Sequence, residues 1–480
     1  MSANRTVHAF TDDVLADHDA TALADLIRRG EISAREAVEA AIRRARTLDP
    51  HLNAVELPLY EEALQAAHRV GSGPFAGVPT FIKDNTDLAG HPTLQGSRAV
   101  PPRPAARDGA FARQFLAQGF IPIGKSRMPE FGLNASTEFQ GLSPSRNPWH
   151  LDFSTGASSG GSAALVAAGV TPIAHANDGG GSIRIPAACC GLIGLKPSRG
   201  RFIDAEAVSK LPVNIVGEGV VTRSVRDTAR FFMGAEQYFR NPALAPIGRV
   251  EGPGARRLRI GILYDSLNNE RTDDITRAAV ADTARLLESL GHDVREVPLT
   301  LPDTFAEDFA IYWGMLSFLL THLGKSLMGT DFDKRQLDNL TVGLAGHYRK
   351  NLAKTPGVLW RLRRFPAVYD AQFRDVDVFL SPVLSHVTPP LGYLSPELPF
   401  EELFPRLLRY VSFTPLNNAA GGPGLTLPMG RTPQGLPVGV HFSAAIGDER
   451  TLLELAYEIE AARGGWRKIH APVVSSAIPA

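Results

Sequence analysis

Cysteine is nearly missing from this chain, with two in 480 residues, Cys189 and Cys190, side by side. That leaves no disulfide framework, so the fold has to stand on its hydrophobic core, and a reducing compartment suits it. An excess of either charge is missing too, because 50 Lys+Arg balance 50 Asp+Glu. Such neutrality gives no general attraction to nucleic acid or to an anionic membrane. No apolar run reaches the about 20 residues that a membrane-spanning helix needs. The opening Met1–His8 lacks the apolar centre of a secretory signal. These absences predict a cytoplasmic protein with neither a membrane nor a nucleic-acid partner. No C-x-x-C and no histidine pair at ligand spacing occurs, so neither a metal nor another cofactor is expected.

What is present is ample length for a large core and an ordinary apolar content of 44%. The 45 glycines and 36 prolines point to many sharp turns around a sheet. Ser33-Ala-Arg-Glu36 is a capping box that opens a helix, with Ala37, Val38, Ala41, Ile42, Ala45 and Leu48 at helical spacing. Asp49-Pro50 is expected to end it. Gly77 to Ile82 reads as a short buried strand carrying Lys83 at its end. Further strands are predicted at Phe120–Ile123, Thr171–His175, Val376–Leu380, Leu425–Pro428 and Val438–Phe442. Leu258–Leu263, Asp273–Leu290 and Asp293–Val297 form a β-α-β pattern. Residues 305–375 read as mostly helical, with breaks near 325–335, and Glu449–Ala462 as a terminal helix. Gln237 to Arg257 reads as a surface connection. The alternation predicts an α/β fold with a central mixed β-sheet covered by helices on both sides.

Chemistry concentrates in two serine- and glycine-rich loops, Gly156-Ala-Ser158-Ser159-Gly-Gly-Ser162 and Asp178-Gly-Gly-Gly-Ser182-Ile-Arg184. Glycine turns let backbone N–H groups converge on one oxygen, which makes Gly179, Gly180 and Gly181 candidate oxyanion donors. Ser182, directly after them, is the candidate nucleophile. Ser158 is the candidate proton relay, although Ser158, Ser159 and Ser162 could equally cap the next helix. Lys83 is the candidate base. A free lysine titrates near 10.4, so it serves only if apolar neighbours such as Phe81 and Ile82 shelter it; the plainer reading is a surface lysine paired with Asp84. Asp178 and Arg184 read as partners that hold the loop. Together these suggest acyl transfer by a serine–lysine device without a catalytic histidine.

The same residues resemble the amidase signature family. Its hallmark appears here as Gly180-Gly181-Ser182-Ile183-Arg184-Ile185-Pro186-Ala187, behind the serine-rich stretch. Glu31-Ile-Ser33, Leu52-Asn53-Ala54-Val55, Val78-Pro79 with Ile82-Lys83-Asp84, Arg146-Asn147-Pro148-Trp149 and Cys190-Gly191 to Lys196-Pro197 extend the match. Asn418-Ala-Ala-Gly421-Gly-Pro423 and Gly435 to Val440 carry it toward the C-terminus. The resemblance implies one domain over 1–480. Its signature core would span about 75–225, with the β-α-β unit at 258–299 and a helical pocket region at about 300–375. It implies a free-standing hydrolase of carboxylic amides, acting on linear amides through a Ser182 acyl-enzyme, with Ser158 preceded by a cis peptide bond and Lys83 as base. The partner would be a small-molecule amide; a homodimer would be unsurprising. Met128, Tyr312, Trp313, Phe318 and Phe413 are candidates for an apolar pocket lining. His441, Gly179 and Cys189 depart from the family's usual residues, which bears on substrate choice.

Gly156-Ala-Ser158-Ser159-Gly160 fits a nucleophile elbow, but the preceding Trp149–Thr155 is too polar for the buried strand that motif needs. Residues 119–126 fit the phosphate-loop pattern of an ATPase, yet Phe120-Ile-Pro-Ile123 is a strand sequence and Pro129 follows closely. A thiol nucleophile at Cys189 or Cys190 is less natural than a small packing role. Some family members are the amidase subunit of a tRNA-dependent amidotransferase; Ile185, where those typically carry glutamine, favours the free-standing enzyme.

Overall fold

The computed structural model describes residues 5–206, 208–266, 271–466 and 469. The opening residues 1–4 and the C-terminal end of the expected 1–480 domain therefore lie outside the described residues. Three strands form a small sheet: β1 (Val55–Pro58), β2 (Pro79–Lys83) and β3 (Ile121–Ser126), with β3 in the middle, antiparallel to β1 and parallel to β2. A short hairpin follows, β4 (Arg146–Asn147) with β5 (His150–Ser154). The main sheet has eight strands: β6 (Ile173–Asp178), β7 (Ile193–Lys196), β8 (Gly217–Thr222), β9 (Arg259–Ile262), β10 (Asp293–Glu296), β11 (Val378–Pro382), β12 (Gly424–Arg431) and β13 (Pro437–Ala444). Their spatial order is β10-β9-β11-β13-β12-β7-β8-β6. The pairs β10/β9 and β9/β11 are parallel and the rest antiparallel, so the sheet is mixed as expected.

Side chains alternate between the two faces along a strand. Every residue of β6, β7, β8, β11 and β13 is nonetheless buried, so both faces are covered. Helices Arg184–Cys190, Asp274–Ser289 and Glu449–Ala462 all pack on β12 and β13. Only the edge strand β10 is largely exposed. One cluster of buried apolar residues runs through the chain from Val7 to Ile459. A second, built around Phe305, Phe309, Tyr312, Phe365 and Tyr369, joins the helices of residues 305–370 to Leu416 and Ala419.

Most expected elements are found within a few residues, including the β-α-β unit of β9, Asp274–Ser289 and β10, whose helix is capped by Asp273 accepting from the Thr276 N–H. The segment between Tyr238 and β9 holds no helix or strand, although Ile247 and Val250 turn inward. One helix stop differs. Ala34–Leu52 passes through Pro50 and ends at Asn53, which is left-handed with φ 49°. The Asp49 carboxylate accepts the Ala54 and Val55 N–H groups and closes that end, and Pro50 falls in the last turn, where its missing N–H costs one bond.

The two sheets meet where the site forms. Strand β2 lies against β6: Thr80 Oγ1 donates to the Ile173 carbonyl at 3.0 Å, and the Lys83 N–H donates to His175 Nδ1 at 3.2 Å. Both strands end there, β2 at Lys83 and β6 at Asp178, which brings the lysine beside the glycine loop.

Candidate active site

Lys83 is fully buried, and Asp84 is not its partner; Asp84 pairs with Lys125 at 2.8 Å. The Lys83 ammonium nitrogen instead lies 2.7 Å from Ser158 Oγ and 2.6 Å from Asn177 Oδ1. Burial pushes its pKa down to about 7, against the upward pull of the Glu218 and Asp178 carboxylates. The Asn177 oxygen can only accept, so a neutral Lys83 donates to it and keeps its lone pair for the Ser158 hydroxyl proton.

Ser158 stands in the loop between β5 and the helix Gly160–Ala167, after a cis Ala157–Ser158 peptide bond. The Phe131–Ala135 segment crosses over it. Gly132 there has φ 69°, and a Cβ would come within 2.9 Å of Ser158 Oγ, so only glycine fits. Neither neighbouring serine caps the helix. Ser159 occupies the N-cap position without a side-chain cap bond, and Ser162 Oγ donates to the His175 carbonyl at 2.7 Å.

The second loop is held from behind. Asp178 accepts the Gly181 N–H at 2.7 Å and the Ile183 N–H at 3.1 Å, and pairs with Arg184 at 2.9 Å. Burial alone would raise its pKa, but Arg184, Lys196 and Asn418 hold it below the ordinary carboxylate range. Arg184 reaches on to Asn417 and Asn418 at 2.9 and 2.7 Å, and its Nη1 lies 3.2 Å from His441 Nε2. Asn418 donates back to the Asp178 carbonyl and carboxylate. His441 thus supports Arg184 from the back of the loop, and Cys189 packs against Tyr410.

Gly179, Gly180 and Ser182 are half-exposed within an otherwise buried stretch. All three, with Ser158 and Asn177, open onto one cavity of about 240 Å³. Gly181 departs from the expected donor set. Its N–H is taken by Asp178, and the Gly180 carbonyl is pinned by Thr414 Oγ1 at 2.6 Å, so this peptide faces away from the role proposed for it. At φ 133° a Cβ on Gly181 would meet Thr414 Oγ1 at 2.3 Å.

Apolar walls come from Phe131 and Leu133, from Phe309, Trp313 and Leu316, and from Leu407, Leu408 and Val411 of the helix Phe400–Tyr410 and its cap. Trp313 is the one expected wall residue found there. Tyr312 instead donates its hydroxyl to the Val213 carbonyl, and Phe413 lines a larger cavity of about 640 Å³ between β9, β11 and the helix 305–328. That larger cavity meets neither serine nor Lys83; the chemistry-bearing groups gather at the smaller one.

The residues that the sequence reading overlooked are Asn177, Asn418 and Glu218. Asn177 directly precedes Asp178, and Asn418 begins the Asn418–Pro423 motif, which were the available signals. His175 Nδ1 accepts from the Lys83 N–H, so its Nε2 carries the proton and donates to Glu218 Oε2 at 3.1 Å. Burial lowers the His175 pKa and keeps this ring neutral. The competing motifs fail on geometry: Lys125 is a strand residue spent on Asp84, Pro92 and Thr93, and burial pushes both cysteine thiols up. No group of residues fit to hold a metal ion occurs among the described residues. No helix there is long and apolar enough to cross a membrane.

A lysine of near-neutral pKa bonded to one serine, with a second serine and a glycine turn on the same cavity, is chemistry suited to acyl transfer. The chain belongs to the amidase signature family, whose enzymes hydrolyse amides: the Amidase family model matches residues 36–453. It is 48% identical over 465 residues to "Putative amidase AmiC" of Mycobacterium leprae, covering 96% of this chain and 98% of that protein. It is 33% identical to the 6-aminohexanoate-cyclic-dimer hydrolase of a Pseudomonas strain, over 92% of this chain and 94% of that one. Among solved structures it superposes on 6-aminohexanoate cyclic dimer hydrolase complexed with substrate with a TM-score of 0.83 and 31% identity, covering 93% of this chain and 97% of the other. A bacterial aryl acylamidase of the amidase signature enzymes follows at 0.82, with 25% identity and coverage of 93% and 96%.

Proposed function

We propose that this chain is a free-standing amidase that cleaves the C–N bond of linear carboxylic amides through an acyl-enzyme on Ser182, with Ser158 as relay and Lys83 as base. The observation that carries it is the 2.7 Å contact between Ser158 Oγ and a fully buried Lys83 whose pKa is pushed to about 7. Neutral Lys83 takes the Ser158 proton as Ser158 takes that of Ser182. Ser182 Oγ then bonds to the carbonyl carbon. The N–H groups of Gly179, Gly180 and Ser182 stabilise the oxyanion; the Gly181 N–H, held by Asp178, serves to shape the turn. The proton returns through Ser158 to the leaving nitrogen as the C–N bond breaks. Water, deprotonated along the same relay, attacks the acyl carbon and frees Ser182.

The chain acts as a single domain, a reading supported by the buried cluster that joins Val7 to Ile459. Its partner is a small amide, with no nucleic acid required, in line with the neutral charge. Cyclic or aryl amides enter by similarity to the relatives named above. The test is ammonia release from a panel of linear primary amides by the purified chain. Ser182→Ala is expected to lower kcat by about 10⁵-fold or more. Turnover that survives the substitution sinks the assignment.

A further inference from the structure

We infer that the cavity selects amides that carry an ammonium or another strong N–H donor on an apolar body, and that Glu218 is the residue that selects them. The inference rests on the amidase reading of this cavity.

Glu218 is the single ionisable side chain among the described residues that line the cavity beside the two serines. Its neighbours there are apolar or neutral. Glu218 lies on β8, 4% exposed, and one of its oxygens, Oε2, is engaged by His175. The other, Oε1, is buried and has no hydrogen-bond partner among the described residues. A carboxylate that served only to orient His175 would need one oxygen. Buried acceptors are nearly always satisfied, so an unpartnered carboxylate oxygen on a residue that lines a ligand cavity is a place where a donor carried by the ligand would be taken up. Asn85 repeats the pattern: it lines the cavity, and its buried Oδ1 is unpartnered. Two lining residues thus carry an unpartnered acceptor, and among the described residues no lysine or arginine lines the cavity to offer a substrate anion a partner.

Lys83 does not fill this role. Its nitrogen is bonded to Ser158 and Asn177, while Glu218 acts on it through space. When Lys83 is neutral, the form able to act as base, its charge no longer acts on Glu218, and the His175 N–H remains bonded to Oε2. A cationic substrate group then supplies the missing charge, and a carboxylate group meets repulsion. Phe131, Phe309, Trp313 and Leu316 give the apolar surface for the body that carries it.

The test uses straight-chain primary amides of equal length that end in methyl, ammonium or carboxylate, over several chain lengths, with kcat/KM measured at about pH 8. For the best length the ammonium amide should exceed the methyl amide by roughly tenfold, about 1.4 kcal/mol, and the carboxylate amide should fall below it by a similar factor. Glu218→Gln keeps an acceptor for His175 and should bring all three within about threefold of one another, which is less than 1 kcal/mol. Ratios are compared because any common change in Lys83 cancels. Asn85→Leu, which leaves the His175 contact intact, provides the second variant and should narrow the preference if Glu218→Gln does not fold. Calorimetry of n-alkylammonium and n-alkanoate ions with Ser182→Ala protein separates selection from turnover. Ammonium binding that Glu218→Gln removes upholds the inference even if no amide is hydrolysed, whereas normal hydrolysis with no ammonium preference overturns it and leaves the amidase reading standing. A preference unchanged in both variants also overturns it.

Discussion

Among the described residues three lysines are fully buried, and they stand in three different environments. Lys125, on β3, has a carboxylate partner, Asp84, at 2.8 Å and donates to Pro92 and Thr93 as well. Lys196, at the end of β7, donates to the neighbouring Pro197 carbonyl at 2.6 Å, and burial pushes its pKa to about 7. Lys83 shares that low pKa but touches the hydroxyl of Ser158, which lines the same cavity as Ser182. A depressed pKa marks Lys83 and Lys196 equally, with burial as the main cause in both and the Arg184 charge adding to it at Lys196. What separates them is geometry: one nitrogen faces a proton donor on a ligand cavity, and the other faces a carbonyl inside the core.

Substituting each lysine breaks that comparison if it is wrong. Lys83→Met should lower kcat for amide hydrolysis by about 10³–10⁴, measured as ammonia release, because the proposed proton relay loses its acceptor. Lys196→Met should cost far less than Lys83→Met, at most about tenfold in kcat, since Lys196 donates to the Pro197 carbonyl and acts on Asp178 only through space. Equal losses in the two variants would mean that burial, not the Ser158 contact, explains the sensitivity. Lys125→Met leaves Asp84 buried without its cation and should cost about 3–5 kcal/mol in urea unfolding.

Support from behind the glycine loop should matter less than the base itself. Asn418→Ala removes the donors to Asp178 and frees the loop to shift; kcat should fall by about 10–100-fold with KM less affected. The smallest effect is graded by pH. The proposed base Lys83 would act only when neutral, and burial sets its pKa near 7 against the pull of Glu218 and Asp178. Activity should therefore fall about tenfold per pH unit below that value and level off above it. An acid limb near pH 4 would point to a carboxylate base instead.

Much of this was legible in the chain. Lys83, Ser158 and Ser182 are short-range signals, each beside glycines or at the end of an apolar strand, and residues so close in sequence constrain one another's backbone directly. The β9-helix-β10 unit was legible because its apolar period changes within one continuous stretch. The Pro50 helix was misread because a cap formed by Asp49 and Asn53 outweighs a local breaker. The Gly181 N–H was misassigned because its partner depends on where Asp178 and Thr414 point, and Thr414 is far along the chain.

By itself, then, the sequence determined the α/β class, the two loops and the three polar side chains, since these follow from periodicity, turn chemistry and residue type. Tertiary structure alone decided which lysine meets a serine, which glycine N–H is taken by Asp178 and which acidic residue lines the cavity. Those depend on β2 lying against β6, on Asn418 reaching back to Asp178, and on β8 bringing Glu218 beside His175. Such contacts join residues widely separated along the chain, and their energies come from burial and alignment that exist only once the sheets are packed.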